Sequence, residues 1–132
     1  RQPHDIEGKL WHMHDSGPAP PDFYGQQYKK FSFCRMALST KPGDSCVKLR
    51  DGNIVLIRNF LSSDGDILIC GQFFGSTKNF YDATLPSIDL GVYIGGQLSP
   101  SLSLWRAAEI LEKCVCVPLN HGRNIIFPVL PL

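Results

Sequence analysis

The sequence predicts a mainly β domain: a curved antiparallel sheet, partly closed into a barrel, with one short helix. Three observations predict it. Apolar and aromatic residues alternate with polar ones around Phe31 and Phe33, the period of a strand with one face buried. The pairs Asp51-Gly52 and Asp64-Gly65 stand between apolar runs, where tight hairpin turns belong. Eight Phe and ten Pro accompany a charged fraction of only 19%, which suits buried extended segments better than long solvated helices.

The elements follow in chain order. Residues 1–27 read as a flanking arm, with the Pro-rich connector DSGPAPP at 15–21 and apolar Leu10, Trp11 and Met13 available for docking. Residues 28–132 read as the β domain. Within it, 28–38 (YKKFSFCRMAL) is a strand, and Lys41-Pro42-Gly43-Asp44 is a turn. Cys46, Val47 and Leu49 form a short strand ending at Asp51-Gly52-Asn53. Residues 54–61 (IVLIRNFL) form a strand buried on both faces, and 66–74 (DILICGQFF) returns after the SSDG turn at 62–65. These three consecutive strands make a meander. After a longer excursion at 75–87 comes a strand at 91–98, where Gly95-Gly96 suggests a bulge. Leu104, Ala107, Ala108 and Leu111 recur at helical spacing behind Ser103, so 103–113 is the expected helix. Strands at 114–119 and 125–130 close the chain, with Pro128 and Pro131 placed at an edge because neither donates to a ladder.

Composition narrows the function. The length of 132 residues fits one domain, and a hydrophobic share of 43% excludes a wholly disordered chain. The first residue is Arg1, so the chain reads as part of a longer protein. Thirteen Lys and Arg against twelve Asp and Glu give a net charge of +1, without the basic excess of proteins held by phosphate contacts. Lys29, Lys30, Arg35, Lys41, Lys48 and Arg50 form either a local basic face or scattered solvated cations, which leaves nucleic acid as a secondary partner. Five cysteines, an odd number without a Cys-x-x-Cys pair, sit inside apolar runs and fit free buried thiols in cytosol or nucleus. No apolar run reaches the roughly 18 residues that span a bilayer, so no membrane partner is expected.

Gly43-Asp44-Ser45-Cys46-Val47, Gly71-Gln72-Phe73-Phe74 and Lys113-Cys114-Val115-Cys116-Val117 stand in an order that, over residues 43–118, resembles the bromo-adjacent homology (BAH) domain of chromatin proteins. The residues that carry the resemblance begin with Gly43-Asp44-Ser45-Cys46-Val47-Lys48-Leu49, similar to that family's Gly-Asp-x-Val strand. They continue with Ile54-Val55-Leu56-Ile57, the turn Asp64-Gly65, and the aromatic strand end Gly71-Gln72-Phe73-Phe74. Last comes Lys113-Cys114-Val115-Cys116-Val117, similar to a Lys-Cys-x-Val signature after a short helix. The loop after Phe74 lacks the dense charge of that family, and 119–132 has no clear counterpart there. The resemblance implies a nuclear, chromatin-associated module that acts in transcription regulation and binds a histone tail or a partner-protein peptide.

The candidate ligand-binding residues are the aromatics Phe73, Phe74, Phe80, Tyr81, Tyr93 and Trp105, with Asp82 or Asp89 as a nearby carboxylate. Converging ring faces attract a diffuse methylated cation, and the same rings serve equally as core. The last strand, with Ile125, Ile126, Phe127 and Val129, offers either an edge for a partner strand or a core strand. His12 and His14 lie on one side of an extended segment, but no second ligand pair follows at zinc-finger spacing, and no metal or other cofactor is expected. Cys34, Cys46 or Cys70 with His121 lacks a nucleophile signature, and phosphate-binding glycine loops are missing, so no enzyme is expected. The alternatives to peptide binding are a nucleic-acid-binding β-barrel and a structural dimerisation domain.

Overall fold

The computed structural model describes residues 8–75, 77–79 and 92–129. Among the described residues eleven strands form one sheet: β1 (Lys9–His14), β2 (Gln26–Phe33), β3 (Met36–Ser39), β4 (Cys46–Leu49), β5 (Ile54–Ser63), β6 (Asp66–Phe73), β7 (Thr77–Asn79), β8 (Tyr93–Gly95), β9 (Ser103–Arg106), β10 (Ile110–Pro118) and β11 (Asn124–Pro128). Every pairing between them is antiparallel. The main path runs β1-β2-β5-β4-β10-β11-β8-β7, with β3 beside β2 and β6 joining β5 to β9. Among the described residues no ladder joins β7 back to β1, so the sheet is open and branched.

Two long strands cause the branching. β6 runs along one edge of β5 from Val55 to Ser63. The opposite edge is therefore shared, with β4 against Ile54–Leu56 and β2 against Phe60–Ser62. Between these partners the β5–β6 register shifts at Ile57/Asn59, a bulge that leaves Arg58 unpaired in the ladder. Gly71 sits opposite, and a Cβ there would lie 2.2 Å from the Leu56 carbonyl oxygen. β2 divides its own edge in the same way, between β5 at Gln26–Tyr28 and β3 at Lys30–Phe33.

The meander β4–β5–β6 stands as the sequence predicts. Its first turn closes with Leu49 N–H donating to Asn53 O (2.8 Å) and Asn53 N–H to the Asp51 carboxylate (2.9 Å). Its second carries Asp64 and Gly65 at φ 51° and 82°, the two left-handed residues of a tight hairpin.

Three expectations are corrected. Residues 28–38 are not one strand but the end of β2 and most of β3, folded back at Cys34 and Arg35 with φ 49° and 64°. That turn uses two non-glycine residues in the left-handed region, so no composition signal marks it. Residues 103–113 are not a helix but β9, a 3-10 turn at Ala107–Glu109 and the start of β10. Pairing of β9 with β6 and of β10 with β4 outweighs the helical spacing of Leu104, Ala107, Ala108 and Leu111. The boundary expected at residue 28 falls inside β2, and β1 from the arm pairs with β2 from Lys9↔Ser32 to His14↔Gln27.

Each face of the sheet has its own core. One gathers Phe31, Leu38, Val47, Leu49, Val55, Ile57, Phe60, Ile69, Ala107 and Ile110. The other is smaller, with Cys46, Ile54, Phe74, Cys114 and Ile126.

Candidate peptide-binding groove

Beyond the β1–β2 ladder, a buried side chain ties the arm to the sheet. Asn59, fully buried on β5, fills all its hydrogen-bonding positions. Its amide donates to Pro18 O (2.8 Å) and Gln27 Oε1 (2.9 Å), and its Oδ1 accepts from Phe60 N–H (3.0 Å). The same Oδ1 lies 3.0 Å from His14 Nε2, while His14 Nδ1 accepts Ser16 N–H at 3.3 Å. Those two contacts assign the proton to Nε2. Gly17 N–H completes the group by donating to Gln27 Oε1 (3.1 Å), and a Cβ at Gly17 would collide with His14 and Asn59.

This anchor delivers the chain to a groove of about 800 Å³ on the surface. Phe23 N–H donates to Pro20 O (3.0 Å), turning the Pro-rich segment, and Ser63 Oγ donates to Tyr24 O (3.1 Å). Gly25 then leads into β2 at φ +155°, so close to β5 that a Cβ would stand 2.2 Å from Ser62 O. Only glycine permits that approach. Tyr24 is left 87% exposed, and Leu104, on β9, is 39% exposed across the groove. Pro20 and Phe23 give it apolar walls, and Asp22 and Asp64 give it two carboxylates. Among the described residues β9 pairs with β6 alone, so its outer edge runs free beside this groove.

The aromatic group expected from the sequence divides between the two faces. Phe73 and Trp105 meet edge-to-face, with ring centroids 6.3 Å apart, and pack against the larger core. Phe74 is buried in the smaller core and Tyr93 packs against it. Consecutive strand residues point to opposite faces, so Phe73 and Phe74 do not line one pocket. Tyr93 is also engaged. Lys48 Nζ donates to its hydroxyl at 2.9 Å and lies 4.9 Å from its ring centroid. That hydrogen bond holds the Lys48 pKa above its ordinary value, against the opposing effect of burial. Phe80, Tyr81, Asp82 and Asp89 lie outside the described residues.

The last strand is interior over its first half. Ile125 and Ile126 are paired with both β10 and β8, and Ile126 is fully buried. Phe127 and Val129 bond to β10 and are exposed. Of the two readings of the cations, a local basic face or scattered positions, the structure fits the second, because Lys29 and Lys30 alternate across β2 and Lys48 is bound to Tyr93.

Tyr24, Asp22 and Asn59 escaped the sequence reading. A lone Asn within the apolar run IVLIRNFL is the one signal that marks a buried polar anchor. No curated protein matches the chain, and no solved structure matches it. A family model described as "Domain of unknown function (DUF8592)" matches residues 13–132, from the end of β1 through the last residue, and the chain belongs to that family.

Proposed function

We propose that this domain is a non-catalytic interaction module of a nuclear, chromatin-associated protein, and that it binds a Lys-rich segment such as a histone tail. One observation carries the reading: an almost fully exposed tyrosine ring shares a groove with two carboxylates and an apolar wall. A lysine or methyl-lysine side chain matches all three, since its methylenes take the wall, its charge the carboxylates and its cationic head the ring. The residues involved are Tyr24, Phe23, Leu104, Asp22 and Asp64, in place of the aromatics expected from the sequence. The free edge of β9 adds main-chain groups that an extended peptide can pair with.

Titration of trimethylated and unmodified histone-tail peptides, followed by tyrosine and tryptophan fluorescence, tests the reading. Binding is expected, and Tyr24→Ala should weaken it roughly tenfold, the equivalent of one cation–π contact. No affinity for any such peptide at millimolar concentration sinks the proposal.

A further inference from the structure

Three of the five cysteines converge between β4 and β10. Cys46 and Cys114 are direct cross-strand partners, and Cys116, two residues along β10, projects to the same face. Cys46 therefore stands beside Cys114 on one face of the ladder, with Cys116 at the diagonal position. Cys46 and Cys114 are buried in the smaller core, whereas Cys116 is partly exposed at its margin. All three are free thiols. Among the described residues no group of His, Cys, Asp and Glu is arranged to hold a metal ion. Their cross-strand placement lets these thiols react with one another.

We propose that Cys46, Cys114 and Cys116 form a thiol–disulfide redox site, in which Cys116 reacts first with a low-molecular-weight disulfide and the oxidised resting form is a Cys46–Cys114 bridge. Geometry selects the bridge. Directly opposed residues on antiparallel strands have Cα atoms about 4.5–5.5 Å apart, inside the range that a disulfide spans. A diagonal pair such as Cys46 and Cys116 stands at roughly 7–8 Å and is strained when bridged. The environments of the thiols assign the roles. Contact with Cys114 and then Cys116, together with burial, raises the Cys46 pKa and keeps it a thiol. The hydrogen bond from Cys46 lowers the Cys116 pKa and favours its thiolate, the nucleophilic form.

The oxidant is a disulfide of the glutathione class, RSSR. The Cys116 thiolate attacks one of its sulfurs, which forms Cys116–S–SR and expels RS⁻. Cys46 loses its proton and attacks Cys116 Sγ, so the mixed disulfide breaks, the second RS⁻ leaves and a Cys46–Cys116 bond forms. Cys114 then loses its proton and attacks Cys46 Sγ, returning Cys116 as thiolate and leaving the cross-strand bridge. Two protein thiols are oxidised, and one RSSR is reduced to two RSH. Reduced thiol reverses the sequence. The bridge would lock β4 to β10, the ladder through which β5 is joined to β11.

The test is to incubate the full chain with oxidised glutathione and map its disulfides by mass spectrometry without reduction. A Cys46–Cys114 linkage is expected, preceded at early acid-quenched times by glutathione on Cys116. Cys116→Ser should slow the linkage at least about tenfold, because Cys46 and Cys114 are both buried. Cys34→Ser, a change at an exposed cysteine in the β2–β3 turn, should leave the rate unchanged. Glutathione found on Cys34 alone overturns the proposal. So does a linkage whose early samples carry no adduct on Cys116, a measurement that needs no variant.

Discussion

At the β1–β2 end of the sheet, the buried side chain with the most partners is Asn59, whose four hydrogen bonds reach the arm, β2 and its own strand. At the β10–β11 end the comparable buried residue is Ile126, paired with Cys116 on β10 and Tyr93 on β8, whose side chain makes apolar contacts only. The difference separates two tasks. Apolar contact is non-directional and tolerates small shifts, whereas a buried amide with every position filled allows one arrangement only. The polar end carries the groove, and it needs that single arrangement because the segment leading into the groove has no strand pairing between His14 and Gln26.

The largest effect is expected where that directionality is lost. Asn59→Leu keeps the branching at Cγ but leaves Pro18 O, His14 Nε2 and the Phe60 N–H without Asn59 as partner, and Gln27 Oε1 with Gly17 N–H alone. Orphaned buried polar groups cost about 1–3 kcal/mol each, with partial recovery by water at the half-buried ones, so a loss of about 4 kcal/mol is expected. Urea unfolding followed by tryptophan fluorescence measures it. A loss below about 1 kcal/mol would remove the distinction between the two ends.

Gly25→Ala comes next and sharpens the link between anchor and groove. The added Cβ meets the Ser62 carbonyl, and the left-handed φ strains any side chain. Overpacking against backbone costs about 2 kcal/mol, since β2 has to move away from β5. The same displacement opens the groove, so peptide binding should weaken more than the stability loss alone explains. Parallel urea and peptide titrations check both.

How much of this was legible in the sequence depends on what encodes each part. The meander β4–β6 was legible because Asp51-Gly52-Asn53 and Asp64-Gly65 impose turns locally. The Cys34-Arg35 turn was not, since its left-handed residues are ones that ordinarily avoid that region and only pairing of β2 with β3 holds them. Residues 103–113 carry a helical spacing that long-range pairing overrules. The groove was hidden for another reason. Asp22, Phe23 and Tyr24 sit in a Pro-rich stretch whose composition reads as a linker, and only contacts far along the chain, through Asn59 and Ser63, give it a fixed position.

Ile126→Val probes the apolar end. Loss of one methylene from a fully buried site costs about 1 kcal/mol by the ordinary behaviour of Ile-to-Val changes, and it removes no hydrogen bond. Peptide affinity should stay unchanged, because Ile126 belongs to the smaller core and the groove does not. An affinity change accompanying that modest destabilisation would show that the two ends are coupled.

The smallest effect tests the tie between β10 and the β3–β4 turn. Lys113 Nζ donates to Asp44 Oδ1 (2.9 Å) and to Ala37 O (2.8 Å), and Ser39 Oγ donates to Asp44 Oδ2 (3.3 Å). The hydrogen bond from Lys113 is the main reason the Asp44 pKa lies below its ordinary value of 3.8, with burial acting in the other direction. A carboxylate whose folded pKa is depressed contributes stability that is present above the unfolded value and lost as pH falls through the lowered folded value. The carboxylate is half exposed, at 50%, so solvent screens the pair and its contribution is about 0.5 kcal/mol. Asp44→Asn should therefore lower the urea midpoint slightly at about pH 7, and the gap from wild type should close as both are acidified toward about pH 2. Lys113 keeps the Ala37 carbonyl in the variant, so no buried cation is orphaned and the cost stays small. A gap that persists undiminished in acid would mean that the side chain acts through packing, and the ion pair would then have no part in holding β10 to the turn.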